Sequence, residues 1–304
     1  MNIQEYNHLR TEQTTLQRML ASIPEENVLD RSGLEARLDE VAEQLGAAGT
    51  PSRGPARAVL TFQGRPVVEQ HGIFAEFGTQ AANRFTDAVA KVAAGLLAPL
   101  SAMGPIPHRD DSQLLITSTA IGSFGFEFEE HRPTVLDFAE NSPAGQALDI
   151  VCGLLEGTRG TDDELADSAA AADPRAIAAV REFLDLLAAN EAVCALEYNE
   201  RIARFRDVGE VRRAVDRLGQ DNLREEETTL HGEFQGVLPK ARRFEFKLSA
   251  DGEVIRGKIG PAITDPDILN QNLHQPTTIS VMATQVGTGK PRYVLLALPS
   301  WARQ

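Results

Sequence analysis

A change in the spacing of apolar residues near residue 225 constrains the fold of this 304-residue chain more than any other feature. Upstream, apolar residues recur at intervals of three and four, which is the spacing of helices. Downstream, short runs alternate apolar and polar residues and are separated by turn-forming residues such as Pro239 and Asp251-Gly252. Five such runs in succession are typical of a small SH3-like or OB-like β-barrel. We therefore predict a separately folding barrel domain over residues 223–304.

Alternation within these runs also predicts which barrel side chains point inward, because successive residues of a strand face opposite sides. The predicted inward positions are Phe234, Val237, Phe244, Phe246, Val254, Ile259, Val281, Val294 and Leu296. The residues between them are expected to face solvent. A barrel of this size buries few large residues, so each one is expected to matter for stability.

Residues 1–47 are predicted to form a helical hairpin. Two apolar stripes at helical spacing are separated by a link that contains Pro24, and Ser32 with Glu35 has the pattern of a helix-starting capping box. The stripes consist of Leu9, Leu16, Leu20, Leu34, Leu38 and Leu45. A hairpin has little core of its own, so these leucines are predicted to dock onto a protein partner or a second copy. Residues 48–56 are rich in Gly and Pro and are predicted to be a linker.

Residues 57–222 show both kinds of pattern and are predicted to form a central mixed α/β domain. The clearest strand is the run in which Phe124, Phe126 and Phe128 alternate with glycine and glutamate. Helix starts are indicated by capping patterns at Ser142-Pro143, at Asp173-Pro174, and at Asp207 with Glu210. The acidic stretch Asp162–Ala172 predicts a short exposed helix. The whole chain is thus predicted to be an α+β protein in three parts.

Charge is distributed unevenly along the chain and limits the choice of partners. The chain has 30 basic and 44 acidic residues, a net charge of −14. Residues 56–222 contain 15 basic and 26 acidic residues, whereas residues 223–304 contain 10 and 9. The acidic body should repel nucleic acid, so only the barrel is expected to approach a phosphate backbone. Its candidate nucleic-acid face consists of Arg243, Lys247, Arg256 and Lys258.

Several features predict a cytoplasmic bacterial protein with no membrane segment and no cofactor. The amino-terminal residues lack the basic and apolar regions of a secretory signal, and no apolar stretch is long and unbroken enough to span a bilayer. Cys152 and Cys194 lack the paired spacing of a zinc site or redox motif, which predicts reduced core residues. The excess of arginine over lysine favours a bacterial source.

One group of acidic side chains is the candidate for catalysis. Asp110 and Asp111 precede a predicted strand, and Glu127 and Glu129 lie on the next one, so a divalent ion could bind among them. Their spacing matches no specific metal motif. Two glutamates on one strand face are also typical of a solvated surface. A metal-dependent hydrolase or nuclease therefore stays an alternative.

Two further motifs favour a structural interpretation. Gly287-Thr288-Gly289-Lys290 has the form of the end of a phosphate-binding loop, but Pro291 and a strand follow where that motif needs Ser or Thr and a helix. We interpret it as a hairpin turn. Glu245-Phe246-Lys247 matches half of a nuclease motif, yet alternation places Phe246 inward and the two charged residues on the surface.

Two stretches resemble a family of uncharacterised bacterial proteins. They are Gly122-Ser123-Phe124-Gly125-Phe126-Glu127-Phe128, and Gly232-Glu233-Phe234-Gln235-Gly236-Val237-Leu238-Pro239 with Phe244-Glu245-Phe246. The resemblance covers residues 57–300. It implies no activity, so no functional residue follows from it.

The leading functional hypothesis is a non-enzymatic interaction or assembly protein, a homo-oligomer or a subunit of a bacterial multi-protein system of the antiviral defence type. It rests on the predicted hairpin and barrel, which are both common contact elements. It also rests on the lack, in the sequence, of catalytic residues in a recognisable arrangement. Two alternatives stay open: the metal-dependent hydrolase or nuclease at Asp110 and Glu127, and a regulator that binds nucleic acid through the barrel. Whether the protein is an enzyme is left open, with the balance against it.

Overall fold

The computed structural model describes residues 9, 12, 13, 15, 16, 19, 20, 28–47, 54–69, 71–120, 124–131 and 142–301. Contacts divide the chain into two compact units. One comprises Met1–Ala56 with Arg132–Ser142, and the other comprises Arg57–His131 with Pro143–Gln304. The mixture of helices and sheets confirms the predicted α+β class.

The described residues of the first unit between 9 and 47 are helical. Its described positions between 9 and 20 are helical, and helix α1 spans Val28–Ala47. Arg37 Nε lies 2.8 Å from Glu12 Oε1, which joins the two helical segments. The helix begins before Ser32, so the predicted capping box at this serine is wrong. The link around Pro24, and linker residues 48–53, lie outside the described residues.

The second unit contains an open five-stranded sheet in the order β4-β5-β1-β6-β7, with antiparallel neighbours throughout. The strands are β1 Arg57–Gly64, β4 Leu114–Thr119, β5 Phe124–Glu130, β6 Ala192–Tyr198 and β7 Arg201–Arg204. A separate short pair is formed by β2 Val67–Val68 and β3 Gly72–Ile73. The predicted strand of alternating phenylalanines is β5, and a hairpin across Asn199-Glu200 joins β6 to β7.

Helices flank this sheet and supply its core. They are α2 Ala75–Leu97, a 3₁₀ turn Arg109–Ser112, α3 Pro143–Gly157, α4 Asp162–Ala169, α5 Pro174–Ala189 and α6 Val208–Arg217. Phe62 of β1 packs edge-on against Phe77 of α2, with ring centroids 5.4 Å apart. Phe85 of α2 contacts both Phe128 of β5 and Phe183 of α5. These contacts hold the sheet and two helices in one aromatic core.

Three helices of this unit, α3, α5 and α6, begin where the capping patterns indicated. Asp173 caps α5 by accepting a hydrogen bond from Arg175 N at 2.9 Å, and Asp207 caps α6 by accepting one from Glu210 N at 2.9 Å. A further capping box, which the sequence analysis missed, starts α4 at Thr161 with Glu164. Each bond satisfies a backbone N–H that the helix itself leaves free.

The C-terminal region forms a closed five-stranded barrel, as predicted. Its elements are β8 Leu223–Leu238, β9 Arg243–Leu248, β10 Val254–Ile259, a short helix α7 Asp267–Asn270, β11 Pro276–Val286 and β12 Arg292–Leu295. The strand order is β10-β12-β11-β8-β9, and β9 pairs with β10 to close the barrel. Neighbours are antiparallel except β10 and β12, which are parallel.

The barrel interior confirms six predicted inward residues and corrects three. The confirmed ones are Phe234, Val237, Phe244, Phe246, Ile259 and Val281. Val254 is 47% exposed, whereas its neighbour Ile255 is buried opposite Phe246. In β12, Leu295 is buried opposite Val281, and the predicted Val294 and Leu296 are only half-buried. In both strands the residue that faces inward is the immediate neighbour of a predicted one, and neighbouring residues of a strand face opposite sides.

In the described part of the chain, no helix combines the length and the apolar character needed to span a bilayer.

Candidate functional site

The first candidate surface is the free edge of the open sheet, strand β4. One side of β4 pairs with β5, and no described strand pairs with the other side. Leu115 and Ile116 leave 45% and 54% of their surface exposed. Leu115 lies opposite Glu129 and Ile116 lies opposite Phe128, so the two apolar side chains are on opposite faces of the sheet. The edge thus offers both backbone hydrogen-bonding groups and apolar side chains.

Most natural edge strands carry features that prevent pairing with another chain, such as lysine, proline, inward-pointing charges or a bulge. The sequence of β4 is Leu-Leu-Ile-Thr-Ser-Thr, with no charge and no proline. A bulge-like register shift between Ile116 and Ser118 in its pairing with β5 is the one protective feature of this kind among its described residues. This edge is therefore poorly protected against an added strand.

The opposite edge of the same sheet, β7, is better protected. Its residue Ile202 is also 54% exposed. However, Arg201 of β7 forms an ion pair with Glu156 of α3 and a longer one, 3.9 Å, with Asp149. Arg204 adds a second exposed charge to this short strand. A helix and two arginines thus hinder the pairing of β7 with another strand. Among the described residues, β4 has no such arginines or helix contact at its outer edge.

The strand that follows Asp111 was predicted, but its role as a candidate site was not. The signal was present, because six neutral residues rich in β-branched and apolar side chains are the composition of an unprotected edge. What the sequence does not contain is the order of the strands. Only the order shows that this run lies at an edge and not in the middle of the sheet.

The leucines predicted to dock a partner are largely covered within this chain. Leu16 and Leu20 are buried, at 8% and 9% exposure, and Val41 of α1 is fully buried. Leu9, Leu34 and Leu38 are half-buried, and the side chain of Leu45 lies outside the described residues. Docking through these leucines stays a prediction.

The four carboxylates of the metal alternative have other partners or lie apart from one another. Asp110 accepts a hydrogen bond from Gln113 Nε2 at 2.8 Å, and Asp111 lies 3.2 Å from His108 Nδ1. Glu129 forms an ion pair with Arg57 at 2.7 Å. Glu127 is half-buried in β5. Among the described residues, no three His, Cys, Asp or Glu side chains are arranged to hold a metal ion.

Both cysteines are free, buried and poorly suited to reaction. Burial raises the pKa of the Cys194 thiol to about 12. Burial, together with the neighbouring Glu156, raises the pKa of the Cys152 thiol to about 11. Since the thiolate is the reactive form, both side chains stay protonated and unreactive near neutral pH.

A small cavity beside β1 and β6 does not offer a substrate site. It is lined by Thr61, Gln63, Val193, Cys194, Ala195, Arg204 and Phe205. Its volume is about 30 Å³. A cavity of this size holds a water molecule or two, whereas ligand pockets are about ten times larger.

The second candidate surface is the outer face of β9 and β10 in the barrel, which we call the basic face. It consists of Arg243, Glu245, Lys247, Val254, Arg256 and Lys258. Arg256 lies opposite Glu245 and forms an ion pair with it at 2.9 Å. Arg243 and Lys247 are exposed, and neither side chain has a hydrogen bond or ion pair with a described residue. The structure thus brings the four predicted cations onto one face, with one of them neutralised.

Two cations of the basic face lie directly opposite each other. Lys258 is the cross-strand partner of Arg243. Burial lowers the pKa of Lys258, the charge of Asp167 opposes this shift, and the charge of Arg243 adds a smaller lowering. The Lys258 ammonium donates to the backbone oxygen of Asp167 at 3.4 Å. Like charges placed opposite on neighbouring strands are unfavourable unless an anion joins them.

Helix α4 packs against one end of the barrel and was wrongly predicted to be exposed. Leu165, Ala166 and Ala169 are fully buried. Asp163 accepts from Lys290 N at 3.3 Å, and Arg292 of β12 forms ion pairs with Asp163 and Asp167. The acidic residues of this stretch therefore serve an internal contact and are not merely solvated.

The glycine-rich segment that precedes Lys290 is the turn between β11 and β12, which confirms the predicted hairpin. Gly287 has a φ of +53°, and a Cβ atom there would lie 2.5 Å from Asp162 Oδ2. The turn thus requires glycine both for its left-handed backbone and for its close approach to α4. No phosphate-binding role is needed to explain it.

Comparison of the chain with protein-family models, with curated proteins and with solved structures found no match.

Proposed function

We propose that the protein is a non-enzymatic interaction and assembly protein whose open sheet edge, β4, pairs with another chain. The observation that carries this proposal is the exposed, uncharged strand with Leu115 and Ile116 on its two faces. An added strand would satisfy the free backbone groups of β4 and cover both apolar side chains. This form of strand addition is a common mode of protein recognition.

The partner that fits this edge best is a second copy of the chain. Antiparallel pairing of β4 with itself brings only neutral side chains into register, since the strand contains no charge. A two-fold axis between the two copies of β4 would join two five-stranded sheets into one. Two-fold symmetric pairs are the commonest form of homo-oligomer.

The acidic charge of residues 56–222 predicts a distinctive salt dependence of self-association. Residues 56–222 contain 26 acidic and 15 basic residues, so two copies repel each other outside the strand contact. Salt screens such repulsion beyond about 8 Å at physiological ionic strength. Self-association should therefore strengthen as salt is raised, whereas a basic protein partner would bind more weakly.

The test compares two isoleucines of equal exposure on the two sheet edges. Ile116→Lys places a charge on β4, and Ile202→Lys places the same charge on β7, where the native residue is also 54% exposed. We expect Ile116→Lys to weaken self-association at least about tenfold, because the lysine would be desolvated in the new strand pair. Ile202→Lys should behave like the wild type.

Multi-angle light scattering over a dilution series measures the outcome. A wild-type chain that stays monomeric at all concentrations and at high salt would contradict the self-assembly. Equal loss in both variants would show that the edge of β4 is not the contact. A dimer that weakens with salt would indicate a contact driven by charge, which the neutral strand does not provide.

We also infer that the barrel is OB-like and not SH3-like. Numbered within the barrel, its strands follow the order 1-2-3-5-4-1, with the third and fifth strands parallel and a short helix between the third and fourth. That connectivity is the OB Greek key, whereas SH3-like barrels use antiparallel neighbours. The inference is supported by the parallel pair of β10 and β12.

The hydrolase or nuclease alternative gains no support from the contacts of Asp110, Asp111 and Glu129, because each carboxylate has a protein partner. Exchanging Asp110 and Glu127 for alanine together should leave assembly unchanged. A role in a bacterial multi-protein system of the defence type stays a prediction.

A further inference from the structure

We propose that the basic face of the barrel binds the phosphate backbone of single-stranded nucleic acid. The proposal concerns a different surface from the sheet edge and does not depend on self-assembly. It starts from the unneutralised cations Arg243 and Lys247 in a chain whose net charge is −14. An acidic protein that keeps such a local cluster on one barrel face has an electrostatic reason to bind an anion there.

The cations form a track along the strands. Arg243 and Lys258 lie opposite each other at one end, Arg256 lies in the middle, and Lys247 lies at the other end opposite Val254. Arg243 and Lys247 are four residues apart on one strand, a distance of about 13 Å at the usual rise. A linear polyanion can therefore contact several of these side chains at once, whereas a single small anion cannot reach both ends.

The paired cations at one end of the track also favour an anion. Arg243 and Lys258 are cross-strand neighbours of the same charge, and Lys258 donates to the backbone oxygen of Asp167, whose carboxylate also attracts it. A phosphate placed between them would turn a repulsive pair into two attractive contacts. The carboxylates near this face, Glu245 and Asp167, already pair with Arg256 and Arg292.

The side chains of this face predict how the nucleic acid is recognised. Phe244 and Phe246 point into the barrel, so the outward residues of β9 and β10 offer no aromatic ring for base stacking. Leu238, which is 63% exposed, lies beside this face, and Val254 belongs to it. Without stacking platforms or a polar base-reading set, binding should be weak, independent of sequence and strongly dependent on salt.

The test measures fluorescence anisotropy of a labelled oligothymidylate of about 12 nucleotides, a length suited to one OB fold. The full-length protein is used at low salt. The variant Arg243→Glu with Lys247→Glu reverses the two free cations. The matched control is Arg212→Glu with Arg213→Glu, two exposed arginines of α6 that lie outside the barrel and change the net charge equally.

We expect the barrel variant to bind at least about tenfold more weakly and the control to change less than about threefold. The slope of log affinity against log salt should fall by about 1.4 in magnitude, from two lost contacts at 0.7 each. If the charge reversal disturbs the fold by circular dichroism, Arg243→Gln with Lys247→Gln gives the same comparison at smaller amplitude.

Four outcomes would overturn the proposal. One is the absence of binding by the wild type at low salt. Another is an equal loss in the α6 control, which would show that net charge alone decides binding. The third is competition by inorganic tripolyphosphate as effective as unlabelled oligonucleotide at equal phosphate concentration, which would assign the face to small phosphate anions. Equally tight binding of a duplex would remove the preference for single strands.

Discussion

The described part of the chain contains two five-stranded sheets, which differ in whether their edge strands leave backbone hydrogen-bonding groups unpaired. In the barrel, β9 pairs with β10, so every strand has two neighbours. In the open sheet, β4 and β7 each have one neighbour. Closure satisfies the backbone within the chain, whereas an open sheet needs helices, charges or a partner at its edges. The barrel can thus interact through side chains alone, and the sheet can also interact through its backbone.

The largest effect on stability is expected when an aromatic side chain is removed from the small core of the barrel. Phe246 is fully buried, and its ring lies 5.0 Å from that of Phe234 in an edge-on contact. Phe246→Ala should lower the free energy of unfolding of the barrel by about 3–5 kcal/mol. Lys247→Ala, its exposed neighbour, should change it by less than about 0.5 kcal/mol.

Two probes can report the barrel and the open sheet separately in this experiment. Trp301 is the single tryptophan and packs against the barrel core, so its fluorescence follows the barrel. Far-ultraviolet circular dichroism follows the helices around the open sheet. If the barrel folds separately, as predicted, Phe246→Ala shifts only the fluorescence transition in urea. Coincident shifts of both signals would show that the barrel and the sheet unfold together.

A second effect is expected where the barrel meets the helical layer. Glu225 of β8 is half-buried, and burial, followed by the charge of Asp173, raises its pKa to about 7. Both oxygens of Asp173 are already used, by Arg175 N and by Leu100 N at 2.9 Å each. The ionised form of Glu225 is therefore repelled by the Asp173 carboxylate, whose position is fixed by these two hydrogen bonds.

The sign of the pH dependence follows from the raised pKa. Between an unfolded pKa near 4.5 and the folded value near 7, the native state binds more protons than the unfolded state. Stability from this group is greatest below about pH 4.5 and falls as the pH rises to about 7. Glu225→Gln should remove this fall and stabilise the protein at pH 8, on the order of 1 kcal/mol.

Urea unfolding at several pH values measures the Glu225 effect as the difference between variant and wild type. Glu226→Gln is the control, because this exposed neighbour points to the other side of β8. It should follow the wild-type curve within about 0.5 kcal/mol. A Glu225→Gln curve parallel to the wild type at all pH values would show that Glu225 does not titrate in this range.

The sequence predicted the two kinds of sheet better than it predicted their registers. Alternation located the barrel strands, but the start of β10 was misjudged by one residue, which exposed Val254 and buried Ile255. Both residues are apolar and β-branched, so composition does not distinguish them. Pairing with Phe246 across the strand decides which one faces inward, and that pairing depends on the turn at Gly252.

The candidate surfaces differed in how far the sequence could predict them. The four cations of the basic face were predicted correctly to lie on one face, because alternation over two short strands is a local property. The open edge of β4 was missed, because the order of strands depends on contacts between distant segments. Helix α4 was misjudged for the same reason, since its acidic surface is covered by Arg292, which lies more than 120 residues later.

The smallest effect is expected from removing one of two matched ion pairs, one in each sheet. Arg57 lies opposite Glu129 on β1 and β5, with Nε to Oε2 at 2.7 Å, and Arg256 lies opposite Glu245 on β10 and β9, at 2.9 Å. Both pairs join directly facing residues of antiparallel strands. They differ in burial, since the side chain of Glu129 is 24% exposed and that of Glu245 is 45% exposed.

Double-mutant cycles to alanine should give a coupling energy of about 0.2–1 kcal/mol for each pair, with the larger value in the open sheet. The less exposed Glu129 is screened less by water and salt, so its pair should also keep more of its coupling at high salt. Urea unfolding of seven proteins, namely the wild type, four single variants and two double variants, at low and at high salt provides the stabilities of the two cycles. A larger coupling in the barrel would mean that closure restricts the side chains of Arg256 and Glu245 more than burial strengthens the pair of Arg57 and Glu129.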